Sequence, residues 1–132
     1  MFYLDPQYPR NIVNATPFLN FEHPGVCYWY LYEMECRAEY YKLKLASQTN
    51  IIFHEIYLPE LNNPKAAAKF INELGSPIRT EDIRIPELRN ANPKDKKPDK
   101  HLVKKIRRML QYTQPNPKAL AQNFINGGHS LG

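Results

Sequence analysis

The stretch that decides the fold is residues 26–46, VCYWYLYEMECRAEYYKLKLA. Cys27, Leu31, Met34, Ala38, Tyr41 and Leu45 recur at +4, +7, +11, +14 and +18 from the first of them, the spacing of one face of an α-helix. Glu33 and Arg37 add an i,i+4 pair in the favourable order. Residues 32–40 also alternate strictly, apolar with charged, as a strand would. Length separates the two readings, because a run this long without Gly, Pro or Asn exceeds an ordinary strand of roughly 3–10 residues. A helix is expected, with the Cys27-to-Leu45 set inward and Glu33, Glu35 and Glu39 on a solvated face. An α+β arrangement with a strand pair drawn from residues 26–58 is the alternative.

Downstream, IIFHEIYL at 51–58 reads as a strand or a buried helical turn. Asn63-Pro64 then opens a helix with Ala67, Phe70, Ile71 and Leu74 on one face and Gly75 closing it. A proline-broken connector follows, with room for a short strand or turn around Asp82 to Ile85. Asp99 is expected to cap a helix reaching about Tyr112, and Asn116-Pro117 to open another that ends at Gly127.

Upstream, Pro6, Pro9, Pro17 and Pro24 punctuate the first 25 residues and argue against an uninterrupted helix there. Residues 1–24 are expected to be an extended arm. Its apolar side chains, Phe2, Tyr3, Leu4, Tyr8, Phe18, Leu19 and Phe21, are too many for a solvated tail. They should cover either the chain's own core or a partner, and Phe2, Tyr3, Leu4, Tyr8, Phe18 and Phe21 are the candidate docking residues.

At 132 residues the chain suits one domain with one modest core. The expected fold class is mainly α: a small single domain of about four helices over residues 25–127, an extended proline-punctuated N-terminal arm over 1–24, a flexible tail over 128–132, and at most a minor β element. No stretch approaches the roughly 20 apolar residues of a membrane span, so no transmembrane segment is expected. The N-terminus MFYLDPQYPR lacks a basic region followed by an apolar one, and does not read as a secretory signal. Cys27 and Cys36, nine positions apart on a helix, cannot bridge each other. They read as reduced thiols of an intracellular protein, cytoplasmic or in an organelle matrix. Neither the cysteines nor the four histidines have zinc-ligand spacing, so no metal and no cofactor is expected.

One charged constellation stands out. Between Lys94 and Arg108 there are eight cations and two anions, whereas the whole chain carries +5, so the remaining residues sum to -1. On a helical projection Leu102, Val103, Ile106, Met109 and Leu110 share an arc of about 120°, and the other side is cationic. Lys96, Lys97, Lys100, Lys104, Lys105, Arg107 and Arg108 are the candidate polyanion-binding residues. An acidic protein groove or an anionic lipid surface would suit the same face. The bland reading is that lysines simply solvate an exposed helix. The aromatic side chains of Tyr28 to Tyr41 read as core packing rather than base-stacking platforms.

Gly128-His129-Ser130-Leu131-Gly132 matches the G-x-S-x-G pattern of serine hydrolases. That elbow needs a strand before the serine, a helix after it, and a later acid and base. The tail is instead read as a frayed glycine-rich end, and His54-Glu55 lacks the second histidine of a metalloprotease motif. The first expectation is therefore a non-enzymatic accessory or adaptor subunit, docking on a larger assembly through the apolar arm and the basic helix. The alternative is a small nucleic-acid-binding or regulatory protein of a mobile element, phage or plasmid, that uses the 94–108 patch. A protein partner is expected, a nucleic acid is the alternative partner, and the oligomeric state is left open.

Overall fold

The computed structural model describes residues 4–86, 99–113 and 116–131, the side chains of 111–113 excepted. The described residues are mainly helical, with five α-helices and no strand. They are α1 (Thr16–Leu19), α2 (Glu22–Lys44), α3 (Pro64–Glu73), α4 (Lys100–Thr113) and α5 (Pro117–Asn126), with single 3₁₀ turns at Leu58–Asn62 and Thr80–Asp82. The alternative strand pair from 26–58 does not form. By contacts the chain divides into two compact units, Met1–Ile51 with Lys97–Gly132 and Ile52–Lys96.

In the first unit α2 is the spine, and α1, α4 and α5 all contact it. The helix is where the sequence puts it, but its faces are exchanged. Gly25, Trp29, Glu33, Cys36 and Tyr40 are buried, whereas Leu31 is 62% and Met34 45% exposed, and Cys27, Ala38 and Tyr41 also face outward. The helix carries apolar residues on both sides, so periodicity alone could not choose between them. The core chose the stripe holding Trp29, because a fully buried indole contributes roughly 5 kcal/mol of transfer free energy and its Nε1 finds a buried acceptor in the Val13 carbonyl at 3.0 Å.

Glu33, expected on a solvated face, has no exposure at all. Its Oε2 accepts from the Val13 amide at 2.7 Å and its Oε1 from the Ile12 amide at 3.1 Å and from Arg37 Nε at 2.7 Å. Arg37 reaches on to Asn11 Oδ1 at 3.2 Å, and Asn11 donates to the Asp5 carbonyl at 2.8 Å. A buried carboxylate is tolerable when amides and a guanidinium satisfy it in this way.

This network folds the N-terminal segment onto α2, so the segment is no free arm. Leu4, Val13, Ala15 and Phe18 join Trp29 and Cys36 in one core cluster. The prolines do not keep helices out: Pro17 sits in the first turn of α1, and Pro24 in the first turn of α2, where an amide proton would have no intrahelical partner anyway. Gly25 lets the two helices meet, since a Cβ there would lie 1.9 Å from the Phe18 carbonyl oxygen and 2.8 Å from Phe21 Cβ.

The tail is held as well. Gly128 takes φ +77°, and the amides of Gly128 and His129 bond to the carbonyls of Ile125 and Phe124 at 2.9 and 3.2 Å, a Schellman cap on α5. Beyond it the Tyr40 hydroxyl lies 3.2 Å from Ser130 Oγ and accepts from the Leu131 amide at 3.3 Å. The expected flexible tail over 128–132 is therefore tied to α2 through residue 131, and Gly132 lies outside the described residues.

In the second unit Asn63 caps α3 through the amides of Lys65 and Ala66, and Gly75, at φ +88°, closes it. The IIFHEIYL run forms neither a strand nor a buried turn. It is irregular backbone leading into the Leu58–Asn62 turn, with Ile52 76%, Tyr57 69% and Leu58 74% exposed.

Candidate polyanion interface

Helix α4 begins where Asp99 was expected to cap it. The Asp99 carboxylate accepts from the His101 amide at 2.9 Å and the Leu102 amide at 3.4 Å, satisfying two of the donors that a helix start leaves open. Ile106 is fully buried, Leu102, Val103, Met109 and Leu110 are half-buried, and Met109 and Leu110 pack against the core cluster around Trp29. One arc of the helix is thus anchored in the first unit.

The opposite arc carries Lys100, His101, Lys104, Lys105, Arg107 and Arg108, all exposed. A hollow of about 420 Å³ is lined by Lys100, Val103, Lys104 and Arg107, and a second of about 190 Å³ by His101, Lys104, Lys105 and Arg108. Lys104 lies between them and lines both. Elsewhere Arg37, Lys42, Lys69 and Arg79 each sit within 4.0 Å of a carboxylate. Among the described residues no cation of α4 has such a partner.

The electrostatics of this arc work against the helix that carries it. Lys100 with Lys104, and Lys104 with Arg108, are like-charge i,i+4 pairs, each costing about 0.2–0.5 kcal/mol. Lys100, in the first turn, also meets the positive end of the helix dipole.

The remaining candidate positions fall differently. Lys94, Lys96 and Lys97, like Phe2 and Tyr3, lie outside the described residues. Leu4 (6% exposed) and Phe18 (fully buried) belong to the chain's own core and leave the docking set, because their surface is already spent on α2. Of the described arm positions Tyr8 stays 47% exposed and Phe21 is half-buried.

Ser130 has no elbow geometry. Helix α5 and its cap precede it where the hydrolase turn requires a strand, and its neighbour His129 lies over the Phe124 ring at 5.1 Å between centroids. Sequence reading missed the contact of the Tyr40 hydroxyl with Ser130 Oγ, which ties α2 to the tail. Its effect on Tyr40 is to lower the hydroxyl's proton affinity, chiefly through the hydrogen bond to Ser130.

No helix among the described residues is long and apolar enough to cross a membrane. The chain matches no protein-family model, no curated protein and no solved structure.

Proposed function

We propose that this chain is a non-enzymatic, intracellular binding protein that grips the phosphate backbone of a nucleic acid with the outward arc of α4. One observation carries the reading: five exposed Lys and Arg side chains crowd one face of an anchored helix without a carboxylate partner among the described residues. Neutralised phosphates release condensed counterions, so such a face gains affinity with each contact it makes. Lys100, Lys104, Arg107 and Arg108 are assigned the contacts, and Lys105 flanks them. Contacts of this kind position a protein without reading sequence, so binding with little base preference is expected.

The accessory-subunit reading draws less support. It relied on an apolar arm together with the basic helix, and Leu4 and Phe18 of that arm are buried at home. The test is charge reversal on the full chain, Lys104→Glu with Arg108→Glu. Both residues lie off the buried arc, so the helical circular dichroism should be retained while affinity for duplex or single-stranded nucleic acid falls by at least a hundredfold. Equal binding by the variant and the parent, or no binding by either, rejects the proposal.

A further inference from the structure

The apolar stripe that α2 turns away from its core has a symmetry that the core does not use. Cys27, Tyr30, Met34, Ala38 and Tyr41 lie at -7, -4, 0, +4 and +7 about Met34. They sit about 140° around the helix from the Trp29 stripe at 100° per residue. The stripe is open: Tyr30 is 37%, Leu31 62%, Met34 45% and Tyr41 40% exposed. None of these side chains is charged.

We infer that this stripe is a docking surface for a second copy of the chain, with the two α2 helices antiparallel and crossing at Met34. A two-fold axis at Met34 sets Cys27 against Tyr41 and Tyr30 against Ala38, a small residue facing a large one at every step away from the axis. A parallel pair would set tyrosine on tyrosine twice. The repeat also has the right period, since Cys27, Met34 and Tyr41 are seven apart, and a heptad spacing supports a left-handed helix pair. A receptor for the knob is present in a hollow of about 380 Å³ lined by Val26, Cys27, Tyr30 and Leu31. Four residues of one helix forming a hole for one side chain of another is the packing unit of such pairs, and the antiparallel register brings Tyr41 of the second copy to this hole.

The area sets the strength. The four side chains named as exposed leave open on the order of 350 Å² of apolar surface, a patch of the size that marks an interaction site. Two such faces remove on the order of 700 Å² from water, below the roughly 1,000 Å² that a standard specific interface clears and in the range of weak, transient contacts. The dimer is therefore weak and concentration-dependent. It does not rest on the nucleic-acid reading of α4.

Sedimentation equilibrium of the full chain, from low micromolar to millimolar concentration, should show a reversible monomer–dimer equilibrium. Met34→Glu should weaken it at least tenfold without loss of helical circular dichroism. In a Cys27→Ser background, Met34→Cys should form a disulfide-linked dimer under mild oxidation, because the axis places both copies of that position within bridging reach. The parent protein should not cross-link through Cys27. If Met34→Glu fails to fold, the cross-link decides. A chain that stays monomeric at every concentration overturns the inference, as does a dimer indifferent to Met34→Glu or one that cross-links at Cys27 and not at Met34→Cys. A face covered instead by residues 52–96 or by a different protein would give the monomer result.

Discussion

The Glu33 carboxylate accepts the backbone amide of Val13 at 2.7 Å, across 20 positions of sequence and with no exposure to solvent. That bond, with its partners at Ile12 and Arg37, pins the proline-rich N-terminal segment to α2. Glu33→Ala would leave two amides and a guanidinium without their acceptor. It should destabilise the protein by about 3 kcal/mol, read as a lower midpoint in urea unfolding. Glu33→Gln, which keeps one carbonyl oxygen, should cost less. A loss below about 0.5 kcal/mol for Glu33→Ala would mean that the network is not formed.

Gly25→Ala tests the close approach of α1 and α2. The added methyl meets a backbone carbonyl at 1.9 Å, which cannot swing aside as a flexible side chain can. A cost of about 2–3 kcal/mol is expected. A neutral result would show that the α1–α2 turn packs differently.

How much of this was legible in the sequence depends on whether a signal was local. The caps were: Asn63, Asp99 and Asn116 each start a helix, and Gly75 takes the left-handed conformation that closes one, whereas the last helix, expected to end at Gly127, takes its left-handed residue one position later at Gly128. The existence of α2 was legible from its length, and the apolar and cationic arcs of α4 from their spacing. Which face of α2 is buried was not. Both of its stripes are apolar, and the stripe that won contains a glutamate, which lowers its apparent hydrophobicity until Ile12, Val13 and Arg37 are known to satisfy it. The signal that could have found it was a lone Trp29 at i-4 from Glu33, opposite an arm whose amides had no other acceptor. The tail was misjudged for the same reason, since the Tyr40–Ser130 contact spans 90 positions and leaves no trace in local composition.

The two thiols should behave oppositely. Burial, reinforced by the carboxylates of Glu33, Glu35 and Glu39, raises the Cys36 thiol from 9.0 to about 12, whereas Cys27 is exposed. The native protein should release one equivalent of a disulfide reagent's chromophore quickly and the second only on unfolding. Fast reaction at both sites would contradict the buried placement of Cys36.

Alkaline pH should destabilise the fold through the same groups. Tyr32 is also raised, chiefly by burial, from 10.0 to about 12. The unfolded chain loses these protons first, so stability is full below pH 9 and falls as pH rises towards 12. Denaturation midpoints measured across that window should decline, with the first part of the decline abolished in Cys36→Ala. A flat profile would contradict the raised values.

The central claim is that α4 meets phosphates, and the salt dependence of affinity tests it most directly. With three or four contacts from Lys100, Lys104, Arg107 and Arg108, log affinity for duplex DNA should fall linearly with log salt concentration at a slope of about -3 to -4. Replacing Lys104 or Arg108 singly by Ala should flatten that slope by about one unit each. Affinity that ignores salt, or a slope unchanged by both replacements, would contradict the claim.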